Sequence, residues 1–195
     1  MKIIKSFFDN KVLLLGAKAQ KDNRGIFSEL YSKKVFFKLG IKENFVQDNY
    51  SFSKNKFTFR GLHLQLKPYQ QSKIVRVSSG AIIDFIVDLR KNSKTYRKSI
   101  SIKLNNKKMH LLFISSGFAH GFLTLENSTA VNYKVSKEYS PKHSLSIFYK
   151  DPYIKLKLVK NINKYIISQK DKNGISLMEY EKILLKQKNK KWKLL

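Results

Sequence analysis

The segment Arg60-Gly61-Leu62-His63-Leu64-Gln65 sets a guanidinium and an imidazole three residues apart. Histidine is the side-chain type that gives and takes protons near neutral pH. Arginine is the type that grips an anion with a planar fork. Together they suit proton-transfer chemistry on an anionic substrate. In an unbroken strand, residues at this spacing face opposite ways. Gly61 is the residue that lets the backbone bend or approach a ligand closely. A lone histidine is more often a satisfied core residue than a base, so the chemistry turns on which other groups can reach His63.

The supply of such groups is small. There are four histidines (63, 110, 120 and 143), 13 acids and no cysteine. Disulfides, thiolate metal sites and a cysteine nucleophile are excluded. Metal-binding jelly rolls want a second histidine two residues after the first, and here Leu64-Gln65 follows His63. No metal is expected, although His63, His120 and one acid could still meet in space. There is no nucleophile elbow, no phosphate loop and no dinucleotide fingerprint, so no cofactor is expected either. What remains is acid–base work. A histidine base needs a carboxylate to orient its ring. Asp48, Asp84, Asp88 and Asp171 are the candidates, and spacing does not choose among them. Tyr133 could serve as a complementary acid. Lys73 opens a strand just after the loop that follows His63, where an ammonium could hold the charge of an enolate.

The elements that must position these groups read as mostly β. Strand patterns cover residues 12–15, 26–31, 44–52, 57–66, 73–78, 81–89, 99–104, 111–114, 121–125 and 129–135. Turn signals separate them about every ten residues, among them Asp22-Asn23-Arg24-Gly25, Ser53-Lys54-Asn55 and Ser115-Ser116-Gly117. Regular short strands with such punctuation indicate a sandwich, barrel or jelly roll. A short helix is expected over 33–39, closed by Gly40. After Asp151-Pro152 the character changes. Residues 161–169 look irregular. Leu177, Tyr180, Ile183 and Leu184 at helical spacing predict a helix over 176–186. The Lys-rich end beyond it is expected to fray, with Trp192 as an apolar patch holding the tail down. The organisation expected is one domain over 1–175, followed by a C-terminal helix and tail over 176–195.

The 195 residues carry a net charge of +27, which invites a nucleic-acid reading. Only five arginines are present (24, 60, 76, 90 and 97), so 35 of the 40 basic residues are lysine, spread along the whole chain. No zinc-finger spacing, RNA-binding aromatic motif or helix-turn-helix pattern accompanies them, and nucleic acid is not expected as a partner. No window is long and apolar enough for a membrane helix and no signal-peptide pattern opens the chain, so a cytoplasmic protein is expected. Against a lysine background, an arginine is a candidate for a place where only a planar fork will do.

The motifs fit together in order. They are Asp22-Asn23-Arg24-Gly25-Ile26-Phe27-Ser28-Glu29, Phe45-Val46-Gln47-Asp48-Asn49, Arg60 to Gln65, Gln71-Ser72-Lys73-Ile74-Val75-Arg76-Val77 and Val87-Asp88-Leu89-Arg90. They continue with Gly117-Phe118-Ala119-His120-Gly121-Phe122, Asn132-Tyr133-Lys134, Asp151-Pro152 and Ser168-Gln169-Lys170-Asp171. In this set the chain resembles the dTDP-4-dehydrorhamnose 3,5-epimerases. Four of the five arginines lie within the motifs.

The resemblance implies a cupin-type antiparallel jelly roll with short peripheral helices, acting without metal and as a homodimer. It implies a dTDP-4-keto-6-deoxy sugar as substrate, epimerised at C3 and C5 next to the C4 ketone. His63 would match the base, Asp171 its partner, Tyr133 the acid on the opposite face and Lys73 the group at the C4 oxygen. Arg60 would match a diphosphate contact, and His120 sits in a pocket motif. Arg24, Glu29, Gln47 and Asn49 would match residues that hold the nucleotide, partly across the dimer. Tyr139 matches an aromatic near the sugar. Two alternatives stand beside this reading. One is a mono-epimerase or isomerase of a related 4-keto nucleotide sugar; the other is a catalytically silent cupin binding module. The chain departs from the family pattern after Tyr139. Acids and a glycine are usual there, and Ser140-Pro141-Lys142-His143-Ser144-Leu145-Ser146 stands instead.

Overall fold

A computed structural model describes residues 1–159 and 165–192. The strands are β1 (Lys2–Phe7), β2 (Val12–Gly16), β3 (Gln20–Asp22), β4 (Gly25–Phe27), β5 (Gln47–Ser53), β6 (Thr58–Gln65) and β7 (Lys73–Ser79). They continue with β8 (Ala81–Asp88), β9 (Ser99–Asn105), β10 (His110–Ile114), β11 (Phe118–Thr124), β12 (Thr129–Val135), β13 (Ser144–Ser146) and β14 (Ile166–Ile167). Helices α1 (Lys33–Lys38), α2 (Gln169–Lys172) and α3 (Leu177–Trp192), with a 3-10 turn at Pro141–His143, complete the description.

Two antiparallel sheets face each other. One runs β1-β2-β10-β7-β12-β5; the other runs β13-β6-β11-β8-β9, with β14 alongside β6. Period-two alternation sends Val75 and Val77 of β7, Ile82 and Ile86 of β8, and Phe118 and Phe122 of β11 into a shared core between the sheets. The back of the first sheet is covered by α1, whose Phe36 packs with Leu13, Leu15, Ile74 and Phe113. The back of the second is covered by the C-terminal segment, where Leu177 and Tyr180 of α3 pack with Phe59, Leu62 and Phe85. The expected jelly-roll architecture is the one observed.

Several local expectations are corrected. Strand β1 has no clear apolar alternation and was not anticipated; it pairs with β2 at the sheet edge. The strand expected over 26–31 stops at Phe27. Strand β11 starts at Phe118, not Gly121, and so carries His120. Within the stretch read as irregular, Ile166 and Ile167 pair with β6, and Ser168 caps α2 by accepting a hydrogen bond from the Asp171 N–H at 3.2 Å. The remainder of that stretch, residues 161–164, lies outside the described residues. Helix α3 continues to Trp192, through the end expected to fray; the Trp192 side chain is outside the description.

The two ends of Arg60-Gly61-Leu62-His63 do not face opposite ways. Opposite β11, the register runs His120↔His63 and then Phe122↔Arg60, so β6 carries one residue more than its partner across the same span. This is a β-bulge, and one extra residue reverses the alternation beyond it. Arg60 and His63 therefore line the same cavity, while Phe59, Leu62 and Leu64 share the core behind the sheet. Gly61 makes the bulge feasible. It has φ +135°, and a Cβ there would lie 2.5 Å from Gly121 Cα.

Candidate active site

The inward rows of both sheets are apolar except at a few positions. Lys73 precedes Val75 and Val77, Asp84 lies between Ile82 and Ile86, and His120 lies between Phe118 and Phe122. Polar residues standing at core positions line a cavity of about 500 Å³. Its walls bring together Arg60, His63, Lys73, His120, Tyr133 and Asp171, with Tyr139 also in the lining.

His63 Nε2 lies 2.7 Å from Asp171 Oδ1. Asp171 reaches it because β6 is paired by β13 at residues 63–65 and by β14 at 58–59, leaving Gly61 between them. Helix α2 drops the carboxylate into that gap. Oδ2 accepts the Gly61 N–H at 3.1 Å, and Oδ1 also accepts the Ser146 hydroxyl at 2.7 Å. Burial pushes this carboxyl up. The hydrogen bonds from His63, Ser146 and Gly61 outweigh burial and bring it down to about 2. An ionised carboxylate takes the N–H of the ring, so Nε2 carries the proton. Nδ1 is then left with its lone pair, as a base requires.

Across the cavity, Tyr133 is on β12 of the first sheet and Lys73 on β7 beside it. Burial raises the Tyr133 phenol, with Arg60 opposing, so the hydroxyl keeps its proton at neutral pH. Burial lowers the Lys73 ammonium to about 8, with Asp84 opposing. His120 Nε2 sits 2.9 Å from both oxygens of the Asp84 carboxylate, with hydrogen-bond geometry to Oδ2. Among the described residues, Asp84 Oδ1 has no hydrogen-bond partner. Burial lowers the His120 imidazole, which is neutral as a result, and Asp84 opposes the shift. Arg60 is held by Ser53 Oγ at 3.2 Å and the Phe52 carbonyl at 3.0 Å.

The four candidate carboxylates thus separate. Asp171 serves His63 and Asp84 serves His120. Asp88 binds Arg90 and Ser93 in a turn, and Asp48 pairs with Lys134 on the surface. No group of three metal-ligating side chains occurs among the described residues.

Arg24, Glu29, Gln47 and Asn49 are not brought into the cavity lining. Arg24 pairs with Asp22 on the exposed β3–β4 hairpin, and Glu29 is exposed. Gln47 donates to Asn49 Oδ1 at 2.7 Å. Lining or supporting residues that went unassigned in the sequence include Lys170, Ser146, Gln65 and Gln71. All but Ser146 stand inside the quoted motifs, and that was the available signal.

The class that the fold and site define is a two-sheet cupin-type jelly roll whose cavity gathers groups suited to proton transfer. A family model described as dTDP-4-dehydrorhamnose 3,5-epimerase matches residues 10–179, and the chain belongs to that family. The enzyme of this name from Sinorhizobium fredii is 40% identical over 169 residues, covering 87% of this chain and 86% of its own. The one from Methanothermobacter thermautotrophicus is 38% identical, covering 91% and 95%. The crystal structure of the Bacillus anthracis enzyme, with TDP and PPi bound, has a TM-score of 0.86 and 39% identity over 90% of this chain and 99% of its own. The Legionella pneumophila enzyme in complex with dTDP-4-keto-L-rhamnose has a TM-score of 0.85 and 32% identity over 92% and 95%.

Proposed function

We propose that the protein epimerises dTDP-4-dehydro-6-deoxy-D-glucose at C3 and C5 to dTDP-4-dehydro-L-rhamnose. The observation that carries this reading is that His63 and Tyr133 stand on different sheets, on facing walls of one cavity. Inversion next to a ketone needs a base on one face of the ring and an acid on the other. His63 Nδ1 takes the proton from the carbon beside the C4 ketone, and Asp171 stabilises the imidazolium that forms. The electron pair moves onto the C4 oxygen, where the Lys73 ammonium meets the enolate charge. The Tyr133 hydroxyl returns a proton from the opposite side, which inverts the centre.

Arg60 and Lys170 are the cations at the cavity for a diphosphate. The Legionella relative's keto-sugar nucleotide supports a ligand of this chemistry. A homodimer agrees with the exposed Ile26 and Phe27, 56% and 71% accessible, on the hairpin that carries Arg24. From there Arg24 and Glu29 would reach the partner's nucleotide. Work on a nucleotide sugar suits the cytoplasm, and among the described residues no helix is long and apolar enough to cross a membrane.

The test is solvent exchange. Incubated in deuterium oxide with a chelator, the protein should place deuterium at both C3 and C5 of dTDP-4-keto-6-deoxyglucose, followed by NMR. Exchange at one carbon alone would convert the reading to a mono-epimerase, and none at all would end it. Tyr133→Phe should retain more exchange than completed inversion.

A further inference from the structure

Gln65 and Gln71 stand inside the matched motifs and have no part in the proton chemistry. Gln65 is 5% exposed, and a buried amide needs partners. Its partners, with those of Gln71 and Gln47, lie mostly in one stretch of main chain. Gln71 Nε2 donates to the Lys137 carbonyl at 2.7 Å, and Gln65 Nε2 donates to the Glu138 carbonyl at 3.1 Å. Gln47 Oε1 accepts the Tyr139 N–H at 3.0 Å, and Gln65 Oε1 accepts the Ser140 N–H at 2.7 Å. These main-chain groups follow the end of β12 and have no backbone partners among the described residues. Residues 137–140 are therefore held by side-chain amides from three separate places in the chain. Gln65 Nε2 also donates to the Tyr69 carbonyl at 2.7 Å, and the Tyr69 ring packs on His143, 4.6 Å between centroids. His143 Nδ1 in turn lies 2.7 Å from Ser140 Oγ, which closes the support beneath the loop.

The residue so held is Tyr139. It lines the cavity yet is 54% exposed, so its own packing does not fix it. We propose that Gln47, Gln65 and Gln71 are positioning residues whose amides hold residues 137–140 and so fix, at the cavity mouth, Tyr139, the aromatic that the family resemblance already places near the sugar. The nature of that ligand rests on the function proposed above; the clamp does not. It acts on binding and leaves the proton-transfer groups in place, so its signature is a KM effect.

Gln65→Met keeps the length of the side chain and removes its three hydrogen bonds. It should raise KM about tenfold while kcat stays within about threefold. Tyr139→Ala should do the same, and the double variant should be no worse than Tyr139→Ala alone, because one change acts through the other. Effects that multiply, or a fall in kcat with KM unmoved, would overturn the clamp. Gln71→Met, at a half-buried position, repeats the cycle if Gln65→Met does not fold, with an expected KM rise of about threefold. The same cycle read as the Kd for dTDP decides the clamp even if the wild-type protein shows no turnover. That outcome would sink the proposed reaction and not the clamp.

Discussion

His63 and His120 are cross-strand neighbours on β6 and β11, and each has an aspartate at hydrogen-bond distance. The pairs are alike in chemistry and opposite in setting. The His63 side chain is 40% exposed to the cavity, while the His120 side chain is 8% exposed and its Asp84 wholly buried. Asp171 receives three hydrogen bonds and is held ionised. Among the described residues Asp84 has a single hydrogen-bonding partner and a buried oxygen left over. The comparison teaches that of the two pairs only His63–Asp171 leaves its ring open to the cavity, which is what the proposed base requires. His120 meets the cavity with little of its surface, and the wholly buried Asp84 behind it opposes the effect of burial on Lys73.

The most forceful way to break this contrast is His63→Ala. It should cut solvent exchange into the keto sugar by about 10³-fold, with a stability loss of at most about 1 kcal/mol because Asp171 keeps its Ser146 and Gly61 hydrogen bonds. His120→Phe should do the reverse. It leaves Asp84 buried without its partner and should cost about 3 kcal/mol in a urea melt, with the chemical step less affected. Equal stability losses for both would remove the distinction.

Asp171→Asn keeps the shape but cannot stabilise an imidazolium, and should lower kcat by about 10²-fold. It should also alter acid unfolding. The Asp171 carboxyl falls from 3.8 to about 2 on folding. Its stabilisation is present above pH 3.8 and is lost as pH falls through about 2. The Asn variant should lack that segment of the stability–pH curve.

Lys73 reports on the buried pair. Its ammonium, lowered by burial from 10.5 to about 8, should give kcat/KM an alkaline limb near pH 8. The Tyr133 phenol is raised and does not compete for that assignment. Since the folded value lies below the unfolded one, the buried charge weakens the fold below pH 8, and that cost is relieved by pH 10.5. Lys73→Met should abolish the limb. Asp84→Asn should move it to lower pH, because the carboxylate that opposes the burial effect is gone. A limb unmoved in Asp84→Asn would separate the buried pair from the chemistry.

The smallest expected effect is Ser146→Ala. One of the hydrogen bonds to Asp171 is lost, and kcat should fall about fivefold.

The sequence by itself determined the β architecture, through alternation and turn residues that act over a few neighbours. It determined the family, through short motifs in order, and it supplied His63, Lys73, Tyr133 and Asp171 as chemical types. Periodicity did not show β1, which is an exposed edge strand without an apolar face. Nor did it show β14, which is two residues long. Spacing does not choose which aspartate serves which histidine; the family resemblance pointed to Asp171 for His63, and the tertiary structure brings the two to 2.7 Å across 108 residues of chain and sets Asp84 beside His120. The sheet pairing opens a gap at Gly61, and Asp171 of α2 fills it. The tertiary structure also turned Arg60 and His63 to one side, because a bulge is a mismatch between two strands and is not a property of either alone.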